Sequence, residues 1–148
     1  TPFRRAIEEN LIDPKKYVIL GLRGGLYDPD DLKWAIEQGI TIITTDKFYE
    51  IGMAESIKII KDTIGDTPTY FTFDIDGIDP TYAPGTGTPE VGGINVHEAQ
   101  LLIRNLKDLN FIGADVVEVS PPFDVNNMTS LVGATVAFEI LCTMTKTN

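Results

Sequence analysis

Apolar residues in this chain gather in short unbroken runs, set apart by polar, Gly and Pro punctuation. Four runs have strand length: Tyr17-Val-Ile-Leu-Gly-Leu22, Ile40-Thr-Ile-Ile-Thr44, Thr69 to Ile75, and Ile112 to Val119. They read as continuous runs rather than in-out alternations, the mark of strands buried on both faces. Between them the period changes. Met53, Ile57, Ile60 and Ile64 recur at helical spacing, and Gly65 ends that segment. Thr1 as N-cap with Pro2 at the first helical position predicts a helix to about Asn10. Asp28-Pro-Asp-Asp31 offers caps for a helix over Leu32 to Gln38, stopped by Gly39. Further helices are expected over Val96 to Leu106 and Thr129 to about Thr145. Strands alternating with helices predict an α/β fold, a mainly parallel sheet covered on both faces, with no repeat or interdomain linker.

The third run breaks this regularity. It delivers Asp74 and Asp76 one residue apart and then enters a stretch rich in Gly and Pro, residues 77–93. On a strand, positions i and i+2 face the same side, so two carboxylates are expected to emerge together. Like charges that close repel and raise one pKa unless a cation lies between them. The fourth run carries Asp115-Val-Val-Glu118, followed by Ser120-Pro-Pro122. Ligands of open parallel sheets gather at the carboxyl ends of strands. Asp74, Asp76 and Glu118 at neighbouring strand tips would form an oxygen-rich site suited to a hard divalent cation.

Composition narrows the picture further. The 148 residues suit one domain, and 43% hydrophobic residues can bury a core. The formal charge of -10, from 12 basic and 22 acidic side chains, repels phosphate backbones and argues against a nucleic-acid partner. No stretch of about 18 uninterrupted apolar residues predicts a membrane span, and no charged-then-apolar leader is read. The single cysteine, Cys142, lies in an apolar segment and reads as a small core residue; a lone thiol fits a reducing cytosol. His97, the only histidine, has no second histidine or cysteine to support a metal role and reads as a surface residue. Trp34 reads as a core or interface residue, and Arg4-Arg5 as a solvated helix face or partner contact. Tyr82 and Pro84 are expected to shape the long loop.

Two known Asp-rich sites are rivals. An EF-hand loop counted from Asp74 puts Ile78 at its fifth position and Gly85 at its twelfth, where calcium needs oxygen ligands. A haloacid-dehalogenase-type phosphatase uses a similar strand-end pair, with Asp74 as phosphorylated nucleophile. That motif usually lies near the amino end and is followed by Thr, where this chain has Ile78.

The residues from Phe73-Asp-Ile-Asp-Gly-Ile-Asp-Pro80 through Ala83-Pro-Gly-Thr-Gly-Thr-Pro89 to Gly92-Gly93 resemble the signature of the ureohydrolases. That family includes arginases, agmatinases and guanidinobutyrases. Asp115 to Pro121 is similar to the family's next strand end. Thr1 to Glu9, Gly21-Leu-Arg-Gly24 and Asp30 to Trp34 resemble the agmatinase-like branch. The resemblance spans essentially the whole chain. It implies a three-layer α/β/α fold, here a partial domain, with two Mn²⁺ ions at the strand tips. It also implies that Asp74 and Asp76 are metal ligands, Asp76 being catalytic as well, and that Glu118 pairs with the guanidinium of a small cationic substrate. The implied reaction is hydrolysis of agmatine or a guanidinobutyrate-like compound to urea and an amine. The lone thiol adds the expectation of a cytoplasmic protein, and an exposed strand edge that of a homo-oligomer.

The family's other metal ligands come from Gly-Gly-Asp-His and Asp-Ala-His-x-Asp stretches that do not occur here. Residues 1–148 are therefore expected to be the carboxyl-terminal part of one domain, with negligible activity alone and with an unpaired strand edge and apolar surface exposed. The non-enzymatic alternative is a metal-free structural or interaction module that keeps the motif.

Overall fold

A computed structural model describes residues 2–145, so the expected cap at Thr1 lies outside the described residues. Four strands form: β1 (Val18–Leu22), β2 (Thr41–Thr44), β3 (Thr69–Asp74) and β4 (Phe111–Val117). Five α-helices accompany them: α1 (Pro2–Glu8), α2 (Lys33–Gln38), α3 (Thr45–Ile64), α4 (Val96–Asn105) and α5 (Met128–Met144). Each strand pair is parallel. β1 lies beside β2 with Leu20 opposite Ile43, and β3 lies beside β4 with Phe71 opposite Ala114.

The mainly parallel α/β architecture is as expected, and among the described residues the sheet falls into two parts. β1–β2 and β3–β4 are separate hydrogen-bonded pairs. Between them runs a cleft of about 600 Å³, lined by Val18–Leu22 on one side and Thr69–Asp74 on the other. No strand among the described residues bridges the two, so their facing edges go unpaired.

Local chemistry explains where the helices start and stop. The helix expected from Met53 begins eight residues earlier, because the Thr44 hydroxyl caps it by accepting from the Lys47 N–H at 3.1 Å. Gly52, at φ 80°, kinks α3 and lets the second half run along the core, where Ile60 and Ile64 are buried. α4 opens on a capping box in which Asn95 accepts from the Glu98 N–H and Glu98 from the Asn95 N–H, both at 2.8 Å. At α5 the Asp124 carboxylate accepts from Ser130 Oγ at 2.6 Å and from the N–H groups of Ser130 and Thr129 at 2.8 Å; these bonds, the hydroxyl's foremost, hold it below the usual carboxylate range.

α5 is long and apolar enough, over Val125–Met144, to cross a membrane by length and composition. In the fold it is a core helix on one side only: Val132, Val136 and Ile140 are buried where it packs on β4 and α4. Glu139 is held there by the Arg104 guanidinium. Its other side leaves Phe138 at 64% and Leu141 at 62% exposure. Cys142 shares that outer side and is exposed, contrary to the expected core position. A helix apolar all round does not reveal from sequence which side meets the core. Trp34 is half-buried with the Arg4 guanidinium 4.7 Å from its ring centroid, and His97 is exposed as expected.

Candidate functional site at the β3–β4 tip

β3 ends at Asp74, one residue earlier than expected. Ile75–Gly77 form a single 3-10 turn, so Asp76 stands on the turn and not on the strand. The Asp74 side chain caps that turn, accepting from the Asp76 N–H at 3.1 Å. The two carboxylates come together through this cap rather than through strand alternation. Burial of Ile75 and Ile78, at 0% and 1% exposure, anchors the turn from below. Asp74 opens into the cleft, yet protein surrounds enough of it to push its pKa up to about 6. Burial is the largest cause, and the Asp76 and Glu118 charges add to it.

Glu118 follows the last residue of β4 and adopts φ 65°, a left-handed backbone that non-glycine residues rarely take. Such local strain is characteristic of sites where a side chain must be aimed. Its neighbour Val119 bridges to Thr86, and the Ser120 N–H donates to the Gly85 carbonyl at 2.8 Å, tying the Gly/Pro loop to the end of β4. Glu118 is exposed and lies near enough to raise the pKa of Asp74. Asp115 does not join the site. It sits within β4, where Tyr70 Oη donates to it at 3.0 Å.

The loop itself is pinned at several points. Thr88 Oγ1 donates to Asp76 Oδ2 at 2.8 Å. Asp79 turns its carboxylate inward to accept from Thr81, Gly92 and Gly93 N–H groups at 2.9, 2.7 and 3.2 Å. These bonds, those with Thr81 foremost, pull its pKa down to about 2. Gly93 is required sterically, because a Cβ there would lie 2.5 Å from the Asp79 nitrogen. Tyr49 Oη donates to the Gly93 carbonyl at 3.2 Å. Arg23, just past β1, donates to backbone carbonyls of Gly21, Asp76, Glu90 and Val91. Sequence reading assigned none of these roles to Arg23, Thr88 or Tyr49. Arg23 and Thr88 lie in stretches that resemble the ureohydrolases, Gly21 to Gly24 and Ala83 to Pro89, and Tyr49 lies in none.

The site's donor chemistry fits part of a hard divalent-cation centre: two carboxylates joined at a strand end, with a third acid within electrostatic reach. The expected three-acid ligand cluster is corrected, however. Among the described residues no group of three or more His, Cys, Asp or Glu side chains converges closely enough to hold a metal ion. Glu118 acts on the Asp74–Asp76 pair through its charge, from a left-handed backbone position just past β4.

Paired parallel strands with helical crossovers and an acidic strand-tip site define an α/β protein with a carboxylate-lined cleft. A model of the arginase family matches residues 1–143. The chain is 54% identical to guanidinopropionase of Pseudomonas aeruginosa over 142 residues, 96% of this chain and 45% of that protein. Agmatinase of Chromobacterium violaceum is 44% identical, with 97% of this chain and 42% of that protein covered. The structure of proclavaminate amidino hydrolase from Streptomyces clavuligerus superposes with a TM-score of 0.90 at 40% identity, covering 97% of this chain and 47% of that one. The chain belongs to the arginase family, and its fold is arginase-like. It spans somewhat less than half the length of the curated relatives it matches.

Proposed function

We propose that the protein to which these residues belong is a Mn²⁺-dependent hydrolase that releases urea from a linear guanidino compound. One observation carries the reading: Asp74 and Asp76 are gathered at the tip of β3 with Glu118 close enough to disfavour ionisation of Asp74. Asp74 and Asp76 would hold the metal, and their mutual repulsion is relieved when a cation sits between them. Bound divalent ions supply Lewis-acid chemistry and a nucleophile at neutral pH. Glu118 takes the guanidinium through paired, charge-assisted hydrogen bonds. Thr88 holds Asp76 Oδ2 and keeps that carboxylate from swinging into solvent.

Similarity to a guanidinopropionase and an agmatinase supports a substrate without arginine's α-amino-acid head. The reading includes a cytoplasmic homo-oligomer and residues 1–148 as the carboxyl-terminal part of one domain. The unpaired edges of β1 and β3 and the exposed Phe138 and Leu141 support association with further polypeptide. A second reading applies to the 148 residues by themselves. The lack of a convergent ligand cluster among the described residues favours a metal-free, non-catalytic structural or interaction module.

The test is urea release by the full-length protein with Mn²⁺, using 3-guanidinopropionate, 4-guanidinobutyrate, agmatine and arginine. Urea from one of the first three, abolished by chelation and restored by Mn²⁺, is expected. No urea from any of the four, with metal bound, contradicts the proposal.

A further inference from the structure

We infer that Arg23 is a positioning residue for Asp76, acting from the neighbouring strand pair through the main chain; this rests on the hydrolase reading above. Arg23 leaves the carboxyl end of β1 and reaches across the mouth of the cleft. Nη2 donates to the carbonyls of Asp76 and Glu90, both at 2.6 Å. Nε donates to the carbonyls of Glu90 and Val91 at 3.1 and 3.2 Å, and Nη1 to that of Gly21 at 3.2 Å. One planar fork thus joins three separate segments: the strand it comes from, the turn that bears Asp76, and the far side of the Gly/Pro loop.

Every one of these acceptors is a backbone carbonyl. Among the described residues no ion pair involves Arg23. Its charge is therefore not neutralised by a carboxylate and stays beside the acidic tip. The Tyr49 hydroxyl on α3 also reaches the loop, at the Gly93 carbonyl. Of the side chains that follow β1 and β2 among the described residues, Arg23 is the one that bonds to the turn bearing Asp76. Fixing the Asp76 carbonyl fixes the plane of the peptide after it, and with it the direction in which the Asp76 side chain departs. Thr88 then fixes the carboxylate end at Oδ2. Asp76 is gripped from both ends, by Arg23 at its main chain and by Thr88 at its carboxylate. Lysine cannot replace the fork, because a point charge with rotatable donors cannot span carbonyls on three segments in one plane.

The test uses full-length protein carrying Arg23→Lys, Thr88→Val, both together, or Arg104→Met as a remote structural control. Three quantities are read: urea kinetics, Mn²⁺ affinity by calorimetry, and amide exchange at Gly92 and Gly93 in metal-free protein. Arg23→Lys is expected to lower kcat on the order of a hundredfold with KM little changed, as a misplacement of about 1 Å does. Mn²⁺ affinity falls about 10–100-fold, as when a partner that orients a ligand is lost. Exchange at Gly92 and Gly93 rises, and the double variant loses less than the product of the single losses, because both act on Asp76. Arg104→Met lowers Tm and leaves kcat and exchange at those glycines unchanged. Arg23→Lys with kcat and Mn²⁺ affinity within about twofold of wild type, or losses that multiply independently with those of Thr88→Val, overturns the inference. If wild-type protein releases no urea, the hydrolase reading fails by itself, and the Mn²⁺ affinities of wild type and Arg23→Lys still decide the role of Arg23. Wild-type protein that takes up no Mn²⁺ overturns both.

Discussion

The two parallel strand pairs are built from similar apolar runs, but their carboxyl ends differ. At the β1–β2 end the Thr44 hydroxyl caps α3 directly, and Thr45 Oγ1 donates to the Gly21 carbonyl at 3.0 Å. The chain passes from strand to helix with no loop, and buried Thr45 leaves nothing for a ligand. At the β3–β4 end the helix is deferred until Val96. The intervening residues hold Asp76 on a turn, and Asp74 and Glu118 face solvent. The contrast shows how one pairing geometry serves two ends: immediate capping closes a strand tip, and a deferred helix opens it. Arg23 is the exception that crosses over, lending the closed end's rigidity to the open one.

The comparison can be broken most forcefully at Asp76. Asp76→Asn in full-length protein is expected to lower kcat about a hundredfold or more, beyond what loss of a ligand-orienting partner costs, while Tm stays near wild type. The equivalent change at the closed end, Thr45→Val, should leave urea kinetics unaltered. Equal losses at both ends would erase the distinction.

Gly93→Ala attacks the loop that keeps the tip open. The added methyl meets the Asp79 backbone nitrogen at 2.5 Å, so the loop must shift, at a cost of about 1–3 kcal/mol. Denaturant titration and Mn²⁺ affinity should both fall, whereas Gly25→Ala, where a Cβ meets nothing within 4 Å, should change neither.

A pH series sharpens the electrostatic side. Burial and the neighbouring acids raise Asp74 from 3.8 to about 6 in the folded chain. The folded state therefore takes up a proton between those values. The stability held by the neutral form is complete below pH 4 and is lost as pH rises through 6. Asp74→Asn, neutral at every pH, should make the metal-free protein more stable than wild type at pH 7.5 and indistinguishable from it below pH 4. A constant difference across that range would show that like-charge crowding is absent from the tip.

The smallest effect is expected at Glu118. Its φ of 65° suits Asn better than Glu, so Glu118→Asn should raise stability by about 0.5–1 kcal/mol while weakening guanidino-substrate binding. Stabilisation without loss of binding would detach Glu118 from the substrate.

The alternation of strands and helices was legible in the sequence because buried parallel strands leave continuous apolar runs, and Gly39 and Gly65 end helices where expected. The Asp74–Asp76 pair was legible for the same reason: it interrupts such a run at its end. The cause of its convergence was not, because the period of 2 applies only while the strand continues, and the Asp74 cap ends it. The split into two pairs escaped as well, since pairing is a long-range property that apolar runs do not encode. Arg23 was hidden by its chemistry. A side chain that bonds only to carbonyls has partners with no sequence signature.

The central claim is that Asp74 and Asp76 face one shared cation position. Anomalous scattering at the manganese edge, from crystals of the full-length protein grown with Mn²⁺, tests it most directly. The account predicts manganese bound to carboxylate oxygens of both residues, at the cleft between β1 and β3. Manganese absent from both carboxylates, or these oxygens turned to opposite sides of the strand tip, would contradict it.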